Sequence, residues 1–270
     1  MPEIVRLEYR NVTMRFAETG GRGTLTALKN VSFAVRDGEV VSLIGPSGCG
    51  KSTLLNIGSG LSAPSEGLAF VDGEKVEGPN AHVAFMLQKD LLLPWRTVTE
   101  NVMLGVEIQG HATVERRARA QQLLANFNLA EFSNHYPHQL SGGMRQRVAL
   151  ARTLAVDPHV LLLDEPFSAV DAQTRMVLQR ELAQTLKHAG KTALLITHDL
   201  SEAVTLSDRV LVMSHRPGTI IEEIVIDLPH REDPIARRHD LKVNDFVAHL
   251  MDRLDIGHDT VVKQAAGQSA

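Results

Sequence analysis

The chain has 270 residues, an apolar fraction of 43% and a formal net charge of -4, enough sequence to bury a sizeable core as one large domain or two small ones. A balance this close to neutral argues against broad nucleic-acid binding through a basic face, and the single cysteine, Cys49, excludes an intrachain disulfide and fits a reducing compartment. The start carries Glu3 and reads as no secretory signal, and no charge-free apolar run approaches the roughly 18 to 20 residues that span a bilayer, so any membrane role has to come through a partner.

Taken in chain order, short β-branched or apolar runs predict strands: IVRLEY from Ile4, VSFAV from Val31, VVSLIG from Val40, VAFMLQ from Val83, VLLLDEP from Val160, TALLIT from Thr192 and RVLVMS from Arg209. Several are apolar enough to be buried on both faces, as parallel strands are. Helical patterns at Arg175 to Ala189 and Leu200 to Leu206 fall between the later runs and give the rhythm of a parallel α/β sheet. The early strands, around the Gly-rich turn TGGRG, look like an antiparallel layer.

Between Gln88 and Val156 the rhythm changes to helical patterns without a convincing strand. Thr97 and Glu100 make a capping box, and Ala112 to Phe127 carries the run ERRARAQQLL, a solvated helix face. The segment from about 89 to 156 reads as a helical subdomain inserted into the α/β core. From about His230 the sequence becomes charged and irregular before one more possible helix, so residues 229 to 270 form a charged C-terminal extension after a domain of residues 1 to 228.

The run GPSGCGKST, Gly45 to Thr53, follows an apolar strand and precedes the helical LLNI, matching G-x-x-x-x-G-K-[ST] in the strand-to-helix context that gives the motif its meaning. Gly45, Gly48 and Gly50 free the backbone N–H groups of Ser47 to Thr53 to ring phosphates, Lys51 reaches the outer phosphates, and the Ser52 hydroxyl can ligate Mg²⁺. Pro46 has no N–H of its own, and Cys49 lies inside the loop, so its thiol would report nucleotide binding.

The run VLLLDEP ends a buried strand in two acids, at the end of the strand where α/β sheets bind ligands. Asp164 can hold Mg²⁺ through its water shell, and Glu165 can orient or deprotonate an attacking water. In QLSGGMRQRVALAR, Ser141, Gly142 and Gly143 stand at the mouth of a helix where packing does not ask for glycine. They let an anion approach the exposed N–H groups and positive dipole end, or they are an N-cap and a turn.

Together these motifs closely resemble those of the ATP-binding subunits of ABC transporters. The resemblance covers nearly all of residues 1 to about 228, with GPSGCGKST, the glutamine of FMLQKD, LSGGMRQR, LLLDEP, SAVD and ITHD in the family's order. It implies a phosphate-loop ATPase with a parallel core sheet, an antiparallel β layer and an inserted helical subdomain, using ATP and Mg²⁺. By that resemblance two subunits pack head to tail, and Ser141 and Gly143 of one face the γ-phosphate held by the other, with Gly142 between them. Gln88 becomes a sensor of Mg²⁺ and water, Asp171 a contact to the partner subunit, and His198 a γ-phosphate contact that steadies Glu165. Phe16 corresponds to an adenine-stacking aromatic, with Tyr9 a weaker candidate.

Met144 departs from the glutamine of many relatives. With KDLLLPWRTVTENV and RPGTIIEEIVIDLP it resembles the branch of importer ATPases for nitrate, taurine, aliphatic sulfonates and similar small anions. The implied partners are a second copy of the subunit, an integral membrane permease and, through it, a solute-binding protein, with no nucleic acid. The implied location is the cytoplasmic face of the inner membrane, held peripherally. The apolar LLLPWRTV around Trp95, the only tryptophan, is expected to be part core and part docking rim for the permease. Competing readings are an exporter ATPase, a soluble ABC ATPase acting on ribosomes or DNA, which usually carries two cassettes or a long coiled-coil insertion, and a small-molecule kinase, which the signature LSGGMRQR and His198 oppose.

Overall fold

A computed structural model describes residues 4–17, 23–110, 113–168 and 170–255. Two β layers organise it. In the first, β1 (Val5–Ala17) and β2 (Thr24–Arg36) pair antiparallel along their length, and β4 (Glu66–Val71) and the short β5 (Glu74–Lys75) extend the layer beyond β1. The turn between β1 and β2, anticipated from its glycines, lies largely outside the described residues.

The second layer is a six-stranded sheet in the order β10-β9-β3-β8-β7-β6. Its strands are β3 (Val40–Ile44), β6 (Val83–Met86), β7 (Val160–Asp164), β8 (Thr192–Ile196), β9 (Arg209–Met213) and β10 (Ile220–Val225). All pairs are parallel except β10 with β9. Every residue of β3, β7, β8 and β9 is buried, which is why these runs are apolar without alternation.

The two faces of this sheet feed different cores. Successive side chains point to opposite faces, so Leu161 and Leu163 pack with the helical subdomain, while Val160 and Leu162 pack toward the antiparallel layer. Helix α1 (Lys51–Gly58) lies between the layers through Leu54, Leu55 and Ile57. Tyr9 is buried there, its hydroxyl donating to the Leu54 carbonyl at 2.7 Å and its ring stacked on Phe33, so it is a core residue and cannot stack on a base.

The insertion is helical as read, with α2 (Val98–Ile108), α3 (Val114–Asn126) and α4 (Gly142–Ala155). The Thr97 and Glu100 capping box is formed: the Glu100 carboxylate accepts from the Thr97 N–H at 2.7 Å, and the Thr97 hydroxyl accepts from the Glu100 N–H. Val148, Ala151 and Ala155 pack the inner face of α4, with Met144 half-buried against the same core. Leu92 joins that core, whereas Leu91 is exposed and Trp95 is 70% exposed, the mixture of core and rim anticipated for this stretch.

Beyond α5 (Ala172–His188) and α6 (Leu200–Leu206), the C-terminal segment packs on the core instead of hanging from it. Helices α7 (Pro234–Arg238) and α8 (Lys242–Arg253) close over α6, burying Val243 and Leu250 with Val204, Val210 and Ile226. Arg237, buried, clamps the junction by donating to the carbonyls of Ser207, Leu228 and Pro229. Among the described residues no helix is long and apolar enough to cross a membrane.

Candidate active site

The phosphate loop joins β3 to α1, and its glycines are required by geometry. Gly50 has φ 111°, and a Cβ there would lie 2.5 Å from a Leu28 methyl; at Gly45 it would lie 2.9 Å from Met213 Cβ. Gly50 is also the N-cap of α1, so no side chain satisfies the first N–H groups of that helix. They are left to an anion, with the positive dipole end behind them. Lys51 curls back over the loop, its Nζ donating to the Gly45 carbonyl at 2.7 Å and to the Pro46 carbonyl at 3.0 Å. Cys49 is buried beneath the loop, so its thiol is not exposed to report on a nucleotide.

At the end of β7, Asp164 is buried. Burial pushes its carboxyl above the usual carboxylate range, a hydrogen bond with Ser52 opposes that, the charge of Glu165 adds to it and Lys51 offsets part. A bound cation would relieve this carboxyl, and the Ser52 hydroxyl beside it is a hard oxygen donor, so the pair fits Mg²⁺. Glu165 has φ 46°, and its carboxylate meets two neighbours. Gln88, just beyond β6, donates from Nε2 to Glu165 Oε2 at 2.8 Å, and His198 Nδ1, just beyond β8, lies 3.4 Å from the same oxygen. Three parallel strands thus bring Gln88, His198 and the Glu165 carboxylate, separately encoded, to one point.

A pocket of about 280 Å³ opens beside them, lined by the loop residues Ser47, Gly48 and Gly50 to Thr53 and by Phe16, Leu25, Glu165 and Arg216. Phe16 is 43% exposed on its rim. Ser141, Gly142, Gly143 and Asp171 do not line it. Ser141 caps α4, its hydroxyl accepting from the Met144 N–H at 3.3 Å, and is exposed. Asp171 caps α5, accepting from the N–H groups of Gln173 and Thr174.

Packing bears on position 143 more than the sequence suggested, since a side chain there would crowd α5. A Cβ there would lie 3.1 Å from the Thr174 methyl of α5, so the signature turn is partly bare because another helix starts against it. The sequence reading also missed two supports. Arg216 clamps the phosphate loop, its Nη2 donating to the Gly48 carbonyl at 2.7 Å and its Nε at 3.0 Å. Pro217 and Gly218 signal a turn in the sequence, but nothing local says where that turn docks. Arg145 of α4 donates to the Asp90 carboxylate at 3.0 Å, and Arg152 to the Asp90 and Leu91 carbonyls, tying the loop after Gln88 to the helix that begins at the signature glycines.

The family model described as ABC transporter matches residues 28–168. The chain is 43% identical to the taurine import ATP-binding protein of Yersinia pestis over 86% of this chain and 94% of that one. It is 46% identical to the nitrate import ATP-binding protein of a Synechocystis strain over 83% and 84% of the two chains. A solved ATP-binding cassette, dimeric and in a post-hydrolysis state with ADP and phosphate, superposes with a TM-score of 0.73 at 35% identity over 82% of this chain and 98% of that one. With its phosphate loop, paired acids and signature turn on this fold, the chain belongs to the ABC transporter family as an ATP-hydrolysing subunit.

Proposed function

We propose that this subunit powers import of a small anion of the taurine, sulfonate or nitrate class through a separate membrane permease. The observation that carries the catalytic part is the convergence of Gln88 and His198 on one oxygen of Glu165 at the mouth of the phosphate-loop pocket. In this reading Glu165 takes the proton of the attacking water, while His198 and Gln88 hold its carboxylate in line with the γ-phosphate. Lys51 leaves the loop carbonyls to neutralise the outer phosphates, and the open N–H groups of α1 hold the chain of phosphates. Ser52, Asp164 and Gln88 would hold Mg²⁺, which supplies charge neutralisation at the transferred phosphoryl group. Phe16 stacks on adenine, worth about 1 to 3 kcal/mol.

Ser141, Gly142, Gly143 and Asp171 serve the pocket of a second copy. Their absence from the pocket of their own chain supports a head-to-tail pair, as does the dimeric state of the solved cassette. Closing that pair moves α4, and Arg145 and Arg152 pass the motion to Leu91 and Trp95, the exposed surface on which a permease docks. The import direction and anion class rest on the printed names of the taurine and nitrate relatives. The subunit then sits peripherally on the cytoplasmic membrane face, reaching a solute-binding protein through the permease.

Two measurements test this. Purified Glu165→Gln should bind ATP, dimerise and barely turn over; turnover at the parent rate would remove Glu165 as base. Purification of the chain from detergent-solubilised membranes should bring a multi-span membrane protein that supports ATP-dependent uptake of taurine, an alkyl sulfonate or nitrate. Recovery of ribosomes or DNA-repair proteins alone would overturn the transporter assignment, and uptake of none of these anions would overturn the solute class.

A further inference from the structure

At the opposite end of β7 from the paired acids, three side chains form a cluster that nucleotide hydrolysis does not use. Asp72 occupies the turn between β4 and β5, His82 immediately precedes β6, and His159 immediately precedes β7. Nδ1 of His82 and Nδ1 of His159 each lie 2.6 Å from the same Asp72 oxygen, Oδ2. The imidazole rings are 4.6 Å apart. One donor atom from each of the three residues lies within 4.8 Å of the others.

The backbone holds this arrangement. The His82 carbonyl accepts from the N–H groups of both His159 and Val160, at 2.9 and 3.0 Å, so the two histidines are fixed side by side at the start of neighbouring parallel strands. Arg6 donates to the other Asp72 oxygen, Oδ1, at 2.8 Å, which orients the carboxylate and leaves Oδ2 aimed between the rings. Arg6 is paired at the same time with Asp37 at 2.6 Å, so Arg6, Asp37 and Asp72 together carry one net negative charge, which favours a dication. The histidine side chains are 49% and 44% exposed, giving an ion a path from solvent.

Two neutral imidazoles and a carboxylate are nitrogen-rich, borderline ligands that suit zinc and its neighbours rather than Mg²⁺ or Ca²⁺. Bonds of about 2.0 to 2.1 Å at tetrahedral angles put neighbouring donors roughly 3.3 Å apart, so the nitrogens need to withdraw from Oδ2 by well under one ångström. The remaining coordination positions face water. We propose that Asp72, His82 and His159 form a site for a divalent transition ion of the zinc class, separate from the nucleotide site, which clasps the antiparallel layer to the edge of the core sheet. Asp72 belongs to one layer and both histidines to the other, so the ion cross-links two parts of the fold that are otherwise joined mainly through their apolar interface. With β7 five residues long, His159 and Asp164 are about 16 Å apart along the strand, too far for one ion to serve both sites.

The test is zinc titration of the untagged, full-length protein by calorimetry in excess Mg²⁺, which occupies oxygen-rich sites. One zinc per chain is expected, and Co²⁺ in its place should give the visible absorption of a low-symmetry N/O site. Zinc at about 100 times its dissociation constant should shift the folding equilibrium by about 100-fold, read as a raised thermal midpoint. The variant His82→Gln with His159→Gln should lose zinc affinity by at least about 100-fold, since removing even an outer partner of a ligand costs about 10- to 100-fold. Its ATPase activity should stay at the parent level. If the double variant does not fold, each single variant should still lose at least about 10-fold. No stoichiometric zinc binding by the parent overturns the site, and so does undiminished binding by the histidine variants, because the chain's other histidines would then hold the ion.

Discussion

At the carboxyl ends of β7 and β8, burial drives the Asp164 carboxyl above its usual range, and Glu165 meets the neutral amide of Gln88 and the His198 ring. At the amino ends of the same sheet, and in the β4–β5 turn beside them, charged groups are paired. Burial raises Asp72, but hydrogen bonds from Arg6, His159 and His82 outweigh it and pull the carboxyl down to about 2. Asp157, also opposed by burial, is held low by Lys191 and Arg119, and Arg209 pairs with Glu39 at 2.7 Å. The same sheet therefore has paired charge at one end and poised charge at the other. Charge left poised beside an open phosphate loop marks where a nucleotide completes the structure, whereas the paired charges hold layers together, with one net negative charge left at Asp72 for a cation.

The largest effect that tests this contrast comes from the poised end. Glu165→Gln should lower ATP turnover by about 10² to 10⁴ with little change in melting temperature, measured by phosphate release and scanning calorimetry. A large loss of stability would mean that Glu165 is matched after all. At the other end the order reverses: Arg209→Met leaves Glu39 without its main partner and should cost about 3 kcal/mol in urea unfolding while ATP binding by the folded protein persists.

Glu202, buried in α6 beside Gln179 and Thr197, sharpens the comparison through pH. Burial pushes its carboxyl up to about 7 from an ordinary 4.5, against hydrogen bonds from Thr197 and Gln179. Between those values the folded state holds the proton that the unfolded chain has lost, so stability is full below about pH 4.5, falls as pH rises toward 7 and levels off above. Glu202→Gln removes that decline and should gain about 3 kcal/mol at pH 8 relative to the parent, with no gain at pH 4. Equal effects at both pH values would place the proton elsewhere.

The smallest expected effect is at Asp171. As the N-cap of α5 its replacement by Ala should cost about 1 kcal/mol of stability. A loss of ATPase activity far beyond that, appearing only at concentrations where the subunit pairs, would come from the partner contact.

The fold was legible where local chemistry is unambiguous. Apolar runs such as VLLLD and TALLI are strands buried on both faces, and the Thr97 and Glu100 pair caps α2 as its spacing predicts. Strands β4, β5 and β10 were not anticipated: Glu66–Val71 is exposed over its first half, Glu74–Lys75 is too short to show a period, and Ile220–Val225 is only half-buried. Arg216 and Arg237 were illegible because an arginine's sequence neighbours say nothing about which distant carbonyls it will reach.

By itself the sequence determined the chemistry carried by contiguous residues: the glycines and lysine of the phosphate loop, the two acids ending β7, and the capped turn before α4. Those depend on spacing along one chain segment, which local backbone geometry converts directly into position. Tertiary structure alone decided that Gln88 and His198 share an oxygen of Glu165, that Gly143 makes room for α5, that Tyr9 is core while Phe16 is rim, and that Asp72 stands between two histidines. Each of these joins residues remote in sequence, and their meeting is set by which strands become neighbours in the sheets, a result of packing two apolar faces at once.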